Sequence, residues 1–277
     1  MRNTWAVCKR EFKSFFLTPV GYVVVGMFAV IAGMSFSISF ITHSDITQNP
    51  TMYAYTAVPD FEETFLSPYL VFCGMLIMFL APLLTMRLLA EERHRGTIEF
   101  LLTQPLRDRE IIFGKYLAAL GVLGVMMLVV GVNLCIMGWF VDNVETPVLI
   151  FGVLTVFLMG AACISLGLFV SSVTKTQIMS GTITFGATLI LFILGNLGED
   201  MPAESPVPEG WPAGLRTFIA FFYRVFRGLV MELPIDAHAR DMALGVVQPL
   251  DIAYYVLFSA FFLFLTFRAL ESRNWRG

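Results

Sequence analysis

Residues 87–110 read Arg87-Leu-Leu-Ala-Glu-Glu-Arg-His-Arg-Gly-Thr-Ile-Glu-Phe-Leu-Leu-Thr-Gln-Pro-Leu-Arg-Asp-Arg-Glu110. They decide the fold, because ten charged side chains stand here between two long apolar runs. At roughly 2.5–3.5 kcal/mol per charge near a bilayer centre, leaving the stretch in hydrocarbon would cost on the order of 25 kcal/mol. It therefore sits in water at one membrane face, and the runs flanking it are membrane spans. Glu91 and Arg95 are four apart with the acid first, the favourable order for a helical ion pair, and they finish a helix descending from the run 68–89. Gly96 supplies a flexible break, and Thr97 is the N-cap of a second helix. Ile98, Leu101 and Leu102 share one face at i, i+3 and i+4, while Gln104 before Pro105 is biased out of the helical region. A helix of about two turns is not stable alone in water, so it needs a partner to lie against.

Composition agrees with this reading. Of the 277 residues 57% are hydrophobic and only 14% charged, and the mean hydropathy is +0.76, values that exclude an ordinary soluble domain. Spans of about 20 residues leave room for six helices and their connections but for no large soluble domain. The four cysteines, Cys8, Cys73, Cys135 and Cys163, show no CxxC spacing, and His43, His94 and His238 are far apart, so neither a disulfide framework nor a metal site is expected.

Working outward to the N-terminus, residues 2–16 place Trp5, Cys8, Phe12 and Phe15 at helical spacing, with Lys9, Arg10 and Lys13 on the remaining faces. Residues 1–18 thus read as an amphipathic helix in the membrane interface, its basic groups toward anionic lipid. The first span, 20–41, is too long for a signal-peptide core and remains as an anchor; Gly26 and Gly33, two turns apart, allow close helix approach. The stretch 42–67 is acidic, with Asp45, Asp60, Glu62 and Glu63 and no Lys or Arg, which makes it an external loop. The second span, 68–89, contains Pro82, which should kink it.

Toward the C-terminus, the third span, 111–140, is longer than a bilayer needs, so its first turns around Lys115 are expected to project into the cytoplasm. Gly121, Gly124 and Gly131 fit packing on a neighbour, and Asn133 is a strongly polar residue well inside the span, either bonded to another helix or on a substrate path. The fourth span is 147–170 and the fifth 178–197. The hydroxyls of Ser180, Thr184 and Thr188 in the fifth span can satisfy their own backbone, or can line a dimer seam or a translocation path. Residues 198–250 form an outer loop in which 215–231 mixes Arg216, Arg224 and Arg227 with five aromatics, so it lies in the interface or dips in as a re-entrant hairpin. The sixth span, 252–267, ends in Arg268, Arg273 and Arg276. Fourteen of the 18 Lys and Arg then fall on the cytoplasmic side, with both termini.

The run 82–120 contains Thr-Met-Arg-Leu-Leu-Ala-Glu-Glu-Arg-x-x-Gly-Thr-Ile-Glu-x-Leu-Leu-Thr and then Gly-Lys-Tyr-Leu-Ala-Ala-Leu. It resembles the cytoplasmic coupling segment of ABC-2 type exporter permeases, and among those most resembles the gliding-motility type. Phe226-Arg227-Gly228 and Asp251-Ile252-Ala253-Tyr254-Tyr255 echo the same family's C-terminal pattern, with 231–248 as an insertion. The resemblance implies that the short helix within 91–108 docks into a cleft on a separate ATP-binding cassette subunit, and that the Glu91-Glu92-Arg93 end sits at the cytoplasmic gate. The coupling residues carried over are Glu91, Glu92, Arg93, Gly96, Thr97, Ile98, Glu99, Leu101 and Leu102. It also implies that the N-terminal helix touches the ATPase and that the second and fifth spans border a central cavity. A solvated loop whose charges only fix topology is the plainer alternative for 87–110.

The expectation is an all-α polytopic membrane protein formed by a single domain over 1–277. It has six transmembrane helices, an N-terminal interfacial helix, a cytoplasmic coupling helix and an outer re-entrant or interfacial segment. There is no GxxxxGK[ST], no paired intramembrane carboxylates and no nucleophile elbow, so the chain is not expected to be an enzyme, and ATP and Mg belong to the partner. The expected function is the permease of an ATP-driven exporter in a bacterial inner membrane. The alternative is a non-transporting mechanotransmission or scaffold subunit of motility or envelope machinery. Expected partners are the ABC ATPase, a second permease copy (the same chain or a related one), the lipid bilayer and a periplasmic accessory subunit; nucleic acid is not among them.

Overall fold

The computed structural model describes residues 2–53, 55, 60–94, 96, 107–140, 146–199, 201–202, 211, 213–243 and 248–272. Among the described residues the regular structure is helical: α1 (Arg2–Leu17), α2 (Pro19–Gln48), α3 (Ser67–Thr85), α4 (Ala90–His94), α5 (Asp108–Met137), α6 (Thr146–Val173), α7 (Gln177–Glu199), α8 (Ala213–Glu232), α9 (Ala239–Ala243) and α10 (Pro249–Glu271). A 3-10 turn follows α2 and a π-turn, Glu62–Leu66, leads into α3. Six stretches are long and apolar enough to cross a membrane, Pro19–Gln48, Glu62–Arg93, Asp108–Met137, Thr146–Val173, Gln177–Gly198 and Pro249–Glu271. This is an all-α polytopic membrane protein. Six crossings put α1, α4 and the end of α10 on one side, here the charged face, and the α8–α9 region on the opposite, far face.

Two of the six spans form the centre. The apolar windows of the α3 and α6 spans are each 61% buried, against 17–28% for the other four. The α6 glycines explain how the pair approaches so closely. A Cβ on Gly152 would lie 2.4 Å from Leu70 Cδ1, one on Gly160 2.8 Å from Leu123, and one on Gly167 2.1 Å from Thr85 Oγ1. With no side chain there, α3 and α5 ridges seat directly against the α6 backbone. Around the pair, α2 packs on α3 and α5, α7 on α3 and α6, and α10 along α6. The burial on α2 falls on Val24, Phe28 and Ala32, one stripe of one face, as a lipid-bathed helix leaning on a bundle should show.

Several expectations are corrected. Among the described residues, a Cβ on Gly26 or Gly33 would meet nothing within 4 Å, and neither would one on Gly124 or Gly131; Gly121 does receive a neighbour, Phe12 of α1. Asp45, Glu62 and Glu63 stand on helical turns rather than in a loop, because α2 runs on to Gln48 and the π-turn begins at Glu62. The Asp45 carboxylate accepts from Asn49 Nδ2 at 3.2 Å and from the Tyr53 hydroxyl. Val7, Cys8 and Phe15 form the stripe of α1 packed on the chain, while Trp5 is 68% exposed.

At the far face the chain between α8 and α10 folds back onto the centre. Ile235, Ala239, Met242 and Ala243 are buried, with α9 against α3 and α6. This strap is pinned to the start of α10: the Tyr254 hydroxyl donates to Leu233 O at 2.6 Å and the Tyr255 hydroxyl to Ile235 O at 2.7 Å. His238 stacks on Tyr254 and lies 2.9 Å from Asp251 Oδ1 through Nδ1.

Candidate functional site

Below Pro82 the second span ends in three steps: α3 stops at Thr85, residues 86–89 turn, and α4 begins at Ala90. The first turn of α4 would leave orphan N–H groups. Ser171, near the end of α6, supplies the acceptor, its Oγ taking hydrogen bonds from Leu89 N and Ala90 N at 3.0 Å each. The reverse cap comes from Arg93. Its guanidinium donates to Val173 O at 2.8 Å, Thr174 O at 3.1 Å and Ser172 O, the C-terminal carbonyls of α6. A cation there also meets the negative end of the helix dipole. Each of the two helix ends is thus completed by a side chain of the other.

Glu91, Glu92 and Arg93 are consecutive, so on a helix they point about 100° apart and reach three different neighbours. Glu91 Oε2 lies 3.4 Å from Arg87 Nε, one turn earlier. Arg87 in turn donates to Thr18 Oγ1 at 2.7 Å and lies over the Phe15 ring, where α1 turns into α2. The expected partner of Glu91, Arg95, lies outside the described residues. Glu92 Oε1 accepts from Lys115 Nζ at 2.9 Å. Lys115 also sits 3.4 Å from Glu11 Oε1, and Arg10 bridges Glu11 at 2.8 Å and Glu92 at 3.9 Å. Lys115 does not project into water; its side chain is 1% exposed, enclosed where α1, α4 and α5 meet. A buried ammonium is tolerable only with partners, and two carboxylates on two different helices provide them. Burial raises the Glu11 pKa, but Lys115 and Arg10 outweigh it and hold the carboxyl below its ordinary range.

α1 is bound to the same corner by packing. Val7 closes on Gly114 and Phe12 on Gly121, and Glu110, which accepts the Arg107 N–H at 3.1 Å at the start of α5, also receives Asn3 Nδ2 at 3.4 Å. Gly96 ends α4 with φ +68°, a left-handed conformation open to glycine, and its N–H reaches Arg93 O at 3.3 Å. The chain breaks from the helix here, at the position where the sequence places the glycine. Thr97, Ile98, Glu99, Leu101 and Leu102 lie outside the described residues.

The remaining candidates are placed elsewhere. Asn133 Nδ2 donates to the Tyr69 hydroxyl at 2.7 Å, a tie between α5 and α3. Ser180, Thr184 and Thr188 are fully buried within the chain. Thr184 Oγ1 donates to Ser180 O at 2.8 Å and Thr188 Oγ1 to Thr184 O at 3.1 Å. They share the inward face of α7, turned toward the helices of the same chain. Sequence reading passed over Glu11, Arg10 and Ser171 as partners of this corner. The available signal was charge: Glu11 is the single acid in a basic helix, and Lys115 the single cation within a long apolar span.

A family model described as ABC-2 family transporter protein matches residues 5–209, which covers α1 through α7. No curated protein matches the chain. Permeases of this family are in general non-catalytic membrane subunits that work with an ABC ATPase. The matched stretch contains the whole α1–α4–α5–α6 corner, and the chain belongs to the ABC-2 transporter family as a multi-pass permease subunit of an ABC transporter.

Proposed function

We propose that this chain is the permease of an ATP-driven exporter of the gliding-motility type, working as a pair of permeases in a bacterial inner membrane with both termini in the cytoplasm. The residues following Gly96, with Ile98, Leu101 and Leu102 as the apolar face, rest in a cleft of the separate ATPase, which holds ATP and Mg. Displacement of that segment moves α4, and α4 passes the movement to the bundle.

What supports this reading is the set of contacts made by Glu92 and Arg93. A five-residue helix has little stability of its own. This one is joined to α1 and α5 through the Glu92–Lys115–Glu11 cluster and to α6 through the Arg93 cap, so it cannot shift without disturbing three longer helices. A solvated loop that only fixed topology would need none of these buried charges.

The test is ATPase activity of the copurified complex in vesicles. Glu92→Lys and Gly96→Pro are expected to leave the permease in the membrane but abolish its stimulation of the ATPase. Unchanged stimulation in both, or failure of any ATPase to copurify, would overturn the assignment. One observation favours the second reading, a mechanotransmission subunit: Asn133, Ser180, Thr184 and Thr188, the polar groups a path would use, are engaged or enclosed inside the protomer. Transport of no solute by a complex with intact ATPase stimulation would select that reading.

A further inference from the structure

α8 takes no part in the charged corner and follows the family match, which ends at residue 209. Its 20 residues divide into three arcs at about 100° per residue. On one flank Ile219, Tyr223 and Val230 turn toward the bundle: Val230 closes on Gly198 at the end of α7, and the Tyr223 hydroxyl donates to Pro202 O at 2.8 Å. The next arc holds Phe218, Phe221, Phe222, Val225, Phe226 and Leu229, all exposed by 47–62%. The far arc holds Arg216 and Arg224, both exposed, and Arg227, which is half-buried with its Nε enclosed; the only acid of the helix is Glu232, its last residue.

We propose that α8 lies flat in the lipid head-group layer of the far face, with its phenylalanine arc among the acyl chains and Arg216 and Arg224 on anionic phospholipid phosphates. The protein flank lies between the other two arcs. A helix leaning sideways on the bundle therefore turns one arc toward the membrane interior and the other toward the water. Standing upright as a further span, α8 would carry three guanidinium groups into hydrocarbon, and it is not among the six spans. Standing free in water, it would expose six large apolar side chains in one contiguous patch. The interface satisfies both arcs.

Charge and position select lipid over protein. Arg216 and Arg224 are both exposed and have no matching acid within their arc of the helix, which complements phosphate. On the same face Trp139 and Phe140, just past the end of α5, are 88% and 68% exposed, as aromatic residues at a head-group boundary are. α8 therefore continues the lipid-facing belt of the spans to which its two ends are joined. This rests on the membrane fold and not on ATPase coupling, so the two can fail separately.

The experiment uses the full chain in lipid nanodiscs, with spin labels placed by Phe222→Cys or Arg224→Cys on a Cys135→Ser background, the other three cysteines being buried. Power saturation is expected to give position 222 an oxygen-to-nickel-chelate accessibility ratio about tenfold above that of position 224. Adding anionic lipid should deepen position 222 in the parent chain but not in an Arg216→Glu/Arg224→Glu variant. Equal nickel access at both positions would place α8 in water and overturn the proposal. Strong label–label broadening at position 222 with loss of oxygen access would assign the face to a second copy and overturn it too. Insensitivity to anionic lipid in the parent chain would refute the phosphate contacts.

Discussion

At the charged face the α3–α6 pair is closed by ion pairs and reciprocal helix caps carried on α4, whereas at the far face it is closed by a strap that buries Ile235, Ala239, Met242 and Ala243. The strap's polar contacts go mainly to backbone carbonyls, through Tyr254 and Tyr255. Apolar burial is non-directional and grows with area, so the far closure tolerates small shifts without changing partners. The charged closure is directional and stands on desolvated groups, and separating one partner leaves a charge unpaired. One end is thus built to hold, and the other to respond as a set.

The comparison breaks most directly at Lys115. Lys115→Met removes the buried cation between Glu92 and Glu11 and leaves the half-exposed Arg10 beside them, which should cost about 3–5 kcal/mol, read as a lowered thermal midpoint. Adding Glu11→Gln and Glu92→Gln should restore most of the stability while ATPase stimulation stays lost. Normal stimulation in that triple variant would show that the charged end only holds. Met242→Ala at the other end should cost about 2–5 kcal/mol through its cavity, yet leave stimulation by the folded protein unchanged. A parallel loss of stimulation there would mean that the two ends are not distinct.

Smaller effects sharpen the contrast. Tyr255→Phe removes the donor to Ile235 O and should cost about 1–2 kcal/mol, detectable as faster hydrogen exchange in the strap with none in α4. The Glu11 pKa is lowered on folding, so its contribution is present above the ordinary value of 4.5 and disappears as the pH falls below it. Limited proteolysis of α1 should therefore accelerate below about pH 4.5 while cleavage in the strap does not follow the same curve. Matching curves would remove the assignment of acid sensitivity to the charged corner.

How far the sequence reached depends on the kind of signal. The six helices were legible because a run of apolar residues states its solvent directly, and residues 87–110 stated theirs by charge. Gly96 was legible as a break, although its left-handed stop required coordinates. The partner of Lys115 was not legible, because Glu11 is paired with it by the folding of α1 along α5 and not by any local spacing. Glycine spacing at Gly26 and Gly33 did not identify a neighbour within the described chain, since a small residue permits a neighbour without supplying one. The hydroxyl face of α7 was visible, but which way it turned is decided by α3 and α6. The segment 231–248 read as an insertion, and nothing local in it announced that four of its residues complete the centre of the bundle.

The glycine ridge of α6 has a consequence for movement. With Leu70 and Thr85 of α3 seated against bare backbone, sliding α3 along α6 by even part of a turn would drive side chains into main-chain atoms. The two helices form a single strut. Any rearrangement of this chain then has to be a swing of the peripheral helices about that strut, so a disulfide bonding α3 to α6 should leave activity intact, while one bonding α7 to α3 should arrest it.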